Sequence, residues 1–236
     1  MRYDLSDMNL KTGIDRSFLE KDIAILNALP KIFMVLRNNG ISAALYGGTA
    51  LNKIYYRERQ RLSYDIDLLC YDYEKTQDYF KRNFKSEFLG KNRSFFDFEG
   101  VRVDISPIKF NFEKPQEVEA KSLLSFFGYP LTSVVVPSYS LEYLLSLKIL
   151  ALVSRAQLKD IYDSWMGLNL IGDYKRLKSY LTKIERTEET DFMVLFDEIL
   201  RSKEYYAKGT ESIEITQKTD TELMLKDIKT KLELLF

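Results

Sequence analysis

Asp65 and Asp67 stand two residues apart inside an apolar, β-rich run from Tyr64 to Tyr71. The period of two along a strand puts both carboxylates on one face. Two close carboxylates repel, and a divalent cation between them turns repulsion into ligation. Without a cation, the same pair reads as an exposed strand face or a strand end entering a turn. A third carboxylate, Asp104, sits in Val101-Arg102-Val103-Asp104-Ile105. That segment alternates strictly, with Arg102 and Asp104 on one face and the three aliphatic residues on the other. If it pairs beside 64–71, then Asp65, Asp67 and Asp104 form a metal-ligating set for two Mg²⁺ or Mn²⁺ ions. Such a set orients a triphosphate, activates an attacking hydroxyl and stabilises leaving pyrophosphate. Alone, Asp104 reads as structural or exposed.

Composition narrows the chemistry. The chain has 236 residues, a formal net charge of zero, one cysteine (Cys70) and no histidine. Imidazole-dependent catalysis and histidine- or cysteine-based zinc sites are excluded within one chain, which leaves oxygen-ligated metals. Gly47-Gly48-Thr49 joins a strand predicted over 41–46 to a helix predicted over 50–57. Glycines there allow a tight turn and a close approach to a ligand, a helix N-terminus attracts phosphate, and Thr49 is suited to N-cap the helix. Equally, such a turn can only connect two elements. Lys148 interrupts a helical stripe of Leu141, Leu144, Leu145 and Leu152, with Arg155 two turns on. It either snorkels to the surface or meets a bound anion. Asp160 and Asp163 share a helical face, suited to pair with Lys148 or Arg155 or to orient an acceptor.

These residues need elements to hold them. Helical periodicity runs over 15–39, with Pro30 inside as a kink or break and Gly40 as a stop. A helix is expected near 74–84, and strands over 94–98 and 101–106 joined by a Glu99-Gly100 hairpin turn. Beyond Pro137 the pattern turns helical, over 141–154, 158–170, 173–184, 190–206 and 219–236. The expected organisation is a mixed α/β (α+β) domain, 1–136, and a helical domain, 137–236, completing the active site. Residues 148–186 carry eight Lys/Arg against four Asp/Glu, which suits a nucleic-acid face or an ordinary solvated one. No apolar run marks a signal peptide or a membrane span, so the expected location is cytoplasmic. Tyr55, Tyr56, Tyr64, Tyr71 and Tyr73 flank the aspartate pair and read as base-stacking groups or as filler.

The order of Gly-Gly-Thr turn, helix, D-x-D strand and single-Asp strand resembles the DNA polymerase β-like nucleotidyltransferases, with their mixed sheet and flanking helices. More closely, Tyr46-Gly47-Gly48-Thr49-Ala50-Leu51 and Arg61-Leu62-Ser63-Tyr64-Asp65-Ile66-Asp67-Leu68 resemble the AbiEii/AbiGii toxin family and its R-x-S-x-D-x-D phrase. Leu147-Lys148-Ile149-Leu150-Ala151-Leu152 with Arg155, Asp160 and Asp163 is similar to the family's K-x-x-A-L-x-x-R and R-D-x-x-D motifs, with Lys159 where that pattern has arginine. The resemblance covers about residues 20–170. It implies a metal-dependent transfer of a nucleoside monophosphate from an NTP to an acceptor hydroxyl. The expected acceptor is the 3′ end of tRNA or another RNA, and the expected setting is a toxin–antitoxin or phage-defence system with a cognate antitoxin. It implies catalytic roles for Asp65, Asp67, Asp104, Lys148, Asp160 and Asp163. Nucleotide binding falls to Gly47, Gly48, Thr49, Arg61, Ser63, Lys148 and Arg155. A small-molecule, antibiotic-type transferase and a catalytically silent nucleotide-binding module are the alternatives.

Overall fold

The structure, a computed structural model, describes residues 16–61, 63–127, 133–202 and 220–236. The chain divides into two compact units between Tyr139 and Ser140.

The first unit is built on a seven-stranded mixed sheet in the order β3-β4-β5-β2-β1-β7-β6. The strands are β1 (Ala43–Leu45), β2 (Asp65–Cys70), β3 (Lys85–Leu89), β4 (Ser94–Phe98), β5 (Val101–Pro107), β6 (Gln116–Ala120) and β7 (Val134–Ser138). β2 lies at the centre, antiparallel to β1 and parallel to β5. Its apolar residues Ile66 and Leu68 are fully buried, as are Val103 and Ile105 of β5 and Phe96 of β4. That face is covered in part by α3 (Tyr73–Asn83), whose Phe80 ring lies 5.2 Å from that of Phe96. The side chains of Asp65, Asp67 and Asp104 belong to the opposite face by the period of two. The β4–β5 turn is the expected Glu99-Gly100 pair, with both residues at positive φ, as a tight type I′ hairpin requires.

α1 (Arg16–Asn38) runs unbroken through Pro30, and its buried stripe of Phe18, Leu19, Ile25, Leu29, Ile32 and Leu36 holds it in place. Tertiary burial therefore outweighs the break that proline alone favours. The helix after the Gly-Gly turn starts earlier than expected. α2 (Gly47–Ala50) passes directly into a π-helical turn, Leu51–Tyr55, and then a 3₁₀ turn, Arg57–Arg59.

The second unit consists, among the described residues, of α4 (Leu141–Arg155), α5 (Leu158–Leu170), α6 (Tyr174–Glu188), α7 (Phe192–Arg201) and α8 (Thr221–Glu233). Side chains of Ser140, Asp173, Asp191 and Asp220 cap four of these helices by accepting from first-turn amides. The helix expected to reach 206 is described as far as Arg201, and the rest of that expected span, 203–206, lies outside the described residues. No helix among the described residues is long and apolar enough to cross a membrane.

Candidate active site

Parallel pairing of β2 with β5 sets Asp67 directly against Asp104 and Asp65 against Arg102. A ligand oxygen from each of Asp65, Asp67 and Asp104 then lies within 4.8 Å of the other two. Asp104 is fully buried, whereas Asp65 and Asp67 are half-buried. Burial raises the Asp104 carboxyl above its ordinary range, Arg93 opposes that shift, and the charge of Asp65 adds to it. Asp104 Oδ1 is buried with no hydrogen-bond donor among the described residues. A buried carboxylate oxygen left without a donor is costly unless something else satisfies it. Three hard oxygen donors, one of them orphaned, fit a divalent cation of the Mg²⁺ or Mn²⁺ type.

The turn before α2 is folded onto the aspartate pair. Tyr46 N–H donates to Asp67 O at 3.0 Å. Gly47 has φ +68°, and a Cβ there would stand 2.8 Å from Asp67 Cγ. The glycine thus makes room for a carboxylate as well as for the turn. We expect Gly47→Ala to cost about 1–3 kcal/mol through strain and to displace Asp67. A thermal melt set beside Gly172→Ala, where an added Cβ meets nothing within 4 Å, checks this. An equal melting temperature for the two variants would refute it.

Thr49 does not cap the helix as expected. It lies inside α2, fully buried, and its Oγ1 donates to Asp65 O at 2.5 Å. The N-cap residue is Tyr46, which makes no side-chain capping bond. Thr49 therefore ties α2 to the start of β2. Asn52 does similar work, donating to Gly48 O at 2.7 Å and accepting from Arg61 N–H at 2.7 Å. Arg61 is buried, and so is Ser63, whose Oγ finds no partner among the described residues.

Two further residues belong to this site: Arg93, which carries no signal in the sequence, and Tyr46, the first residue of the Tyr46-Gly47-Gly48 run. Arg93, just before β4, donates from both Nε, at 2.7 Å, and Nη2 to Asp104 Oδ2. The Tyr46 hydroxyl is raised above its ordinary value by burial and by Asp67. Arg93 is silent in the sequence because it lies outside the alternating segment. Of the flanking tyrosines, Tyr56 is buried, Tyr55 donates to Tyr139 O, and Tyr73 bonds Gly90 O and Ser94 Oγ. Tyr64 and Tyr71 are exposed.

In the helical unit, Lys148 neither snorkels nor faces open solvent. Its Nζ lies 3.1 Å from Asp160 Oδ1 and 3.0 Å from Asp163 Oδ2, and both acids are fully buried. Arg155 grips Asp160 bidentately, Nε to Oδ2 at 2.7 Å and one Nη to Oδ1 at 2.9 Å. Burial alone would raise Asp160, but the charges of Lys148 and Arg155 overcome it and hold the carboxyl at about 2. The interhelical salt-bridge arrangement anticipated for these residues is thus the one observed.

A family model described as "Nucleotidyl transferase AbiEii toxin, Type IV TA system" matches residues 34–233. It extends well past residue 170, where the resemblance in the sequence motifs ends. MenT4, a nucleotidyltransferase toxin from Mycobacterium tuberculosis H37Rv, has a similar structure, with a TM-score of 0.65 at 13% identity over 99% of this chain and 90% of that one. The antibiotic-resistance factor ANT(2″)-Ia matches with a TM-score of 0.51 at 13% identity over 71% of this chain and 95% of that one. At such identities the likeness concerns the fold. No curated protein matches the sequence.

Proposed function

Because the chain belongs to the AbiEii family of nucleotidyltransferase toxins of type IV toxin–antitoxin systems, we propose that it transfers a nucleoside monophosphate from an NTP to an RNA hydroxyl, the tRNA 3′ end foremost. The observation that carries the metal-dependent part of this reading is the convergence of Asp65, Asp67 and the buried, orphaned Asp104 oxygen. We assign Asp65, Asp67 and Asp104 as the ligands of Mg²⁺ or Mn²⁺. A cation held there supplies charge neutralisation for the triphosphate and acidifies the acceptor hydroxyl.

The rest of the work falls to the chain itself. An acceptor oxygen bonds to the α-phosphorus, the α–β phosphoanhydride bond breaks, and pyrophosphate leaves. The acceptor's hydroxyl proton passes to solvent water as that bond forms. Gly47 and Gly48 open the α2 N-terminus to phosphate oxygens, and Thr49, Arg61 and Ser63 are assigned with them to nucleotide binding, Thr49 also tying the turn to β2. In the helical unit, Lys148 and Arg155 are the cations we assign to phosphate, with Asp160 and Asp163 fixing their positions. That assignment is tested by Lys148→Met, which is expected to weaken NTP binding; unchanged binding would reduce Lys148 to a structural ion pair. A cognate antitoxin and a cytoplasmic location belong to the same proposal.

The test is label transfer. Protein, Mg²⁺, each α-labelled NTP in turn and total tRNA are incubated together, with and without a chelator. Label on tRNA, lost on chelation, is the expected result. Label that survives chelation would overturn the metal reading. No label on tRNA, but label on an aminoglycoside, would move the acceptor to a small molecule.

A further inference from the structure

We propose that Arg93 is an exchangeable counter-ion: it holds Asp104 while no metal is bound, then yields that carboxylate to the cation and gives its own charge to the incoming triphosphate. The inference rests on the metal reading above and adds a positioning residue to it.

Both donors of Arg93, Nε and Nη2, converge on a single oxygen, Asp104 Oδ2, although the guanidinium fork could span both carboxylate oxygens. Oδ1 is buried and has no hydrogen-bond donor among the described residues. A purely structural ion pair at a fully buried carboxylate would satisfy both oxygens, as Arg155 does at Asp160. The charges point the same way. With Arg102 set against Glu87 at 4.0 Å, the three carboxylates and Arg93 leave a net charge of two minus, which one divalent cation cancels. A second cation adds two further positive charges beside Arg93, and their repulsion favours release of the arginine from Asp104.

Arg93 is built to make that exchange. Its side chain is 46% exposed, against complete burial for Asp104. It lies one residue outside β4, with its guanidinium carbon 4.7 Å from the centre of the Phe95 ring, so one side stays anchored as the head turns. Phe95 pairs directly with Asp104 across β4 and β5, which keeps the released guanidinium beside the metal ligands. A planar, permanently charged fork suits phosphate oxygens once it leaves a carboxylate.

The test is a pair of titrations on the full chain. In the first, nucleotide-free protein is titrated with Mn²⁺ and free metal is read by electron paramagnetic resonance. Arg93→Ala removes a competing charge and is expected to bind Mn²⁺ on the order of tenfold more tightly than wild type. In the second, each of the four NTPs is titrated into protein saturated with Mn²⁺. Here Arg93→Ala is expected to bind the preferred nucleotide on the order of tenfold more weakly. Arg93→Gln keeps a donor for Asp104 without the charge and gives the same two shifts, which covers the case in which the alanine variant fails to fold. Opposed shifts establish the exchange. Shifts of the same sign, or an unchanged Mn²⁺ affinity, overturn it and leave the transferase reading standing. Absence of Mn²⁺ binding in the wild type would overturn both.

Discussion

Asp67→Asn is expected to leave the chain folded and to cut nucleotidyl transfer by three orders of magnitude or more. Asp67 stands at the centre of the cluster. It is paired with Asp104 across β2 and β5, separated from Asp65 by one residue, and roofed by the Gly47 turn. On the proposed assignment, losing one of three ligands removes several kcal/mol of charge stabilisation from the reacting phosphate, and each 1.4 kcal/mol or so is a factor of ten in rate. Stability should hold or rise slightly, because asparagine keeps the shape and relieves repulsion among like charges. Label transfer and a thermal melt, run side by side, check both halves. Transfer within tenfold of wild type would remove Asp67 from the metal set.

The second large effect is on stability. Asp160→Asn should destabilise the helical unit by about 3 kcal/mol, because it strips Lys148 and Arg155 of a shared, fully buried partner. Asp163 remains beside Lys148 and limits the loss. Trp165, the only tryptophan, lies on α5 two residues from Asp163 and makes its fluorescence in denaturant the natural readout. The effect also has a pH signature. Asp160 titrates at about 2 in the fold, against about 3.9 for an ordinary aspartate. A depressed carboxyl contributes stability that is complete above the unfolded value and vanishes as pH falls through the folded one. The wild type should therefore lose about 2 kcal/mol between about pH 4 and pH 2 through this group. Asp160→Asn should flatten that limb, and an unaltered acid limb would show that Asp160 is not the group responsible.

The parts of the site that are legible in the sequence are those that obey a period. Alternation in Val101–Ile105 and in the D-x-D run puts the right carboxylates on one face, and parallel register brings them together. The interrupted stripe around Lys148 and the Asp160/Asp163 face are legible by helical spacing. Arg93 is not, since a single arginine in a loop becomes informative only when β4 folds back along β5. Nor do β3, β6 and β7 announce themselves. Every residue of β3 is exposed and β6 is an edge strand of mostly exposed residues, so neither carries the hydrophobic alternation that marks a strand. The π-helical turn at Leu51–Tyr55 likewise answers to the packing of Asn52 and Lys53, both buried, and not to any propensity of its own. Thr49 has the residue type of a cap, but the helix begins three residues earlier than that cap would set it, and the threonine hydroxyl goes to β2.

The parallel pairing of β2 with β5 has a kinetic consequence. The β4–β5 hairpin is local, and Arg93 and Asp104 lie eleven positions apart within it, so this half of the site can zip early with its charge already compensated. β2 must wait for that hairpin, because a parallel neighbour is reached only through a long crossover. Asp65 and Asp67 meet Asp104 in this slower step. A chain emerging from the ribosome therefore carries an incomplete carboxylate cluster until β5 has been made and docked, and on the metal assignment proposed above transfer waits until its central strand has that neighbour.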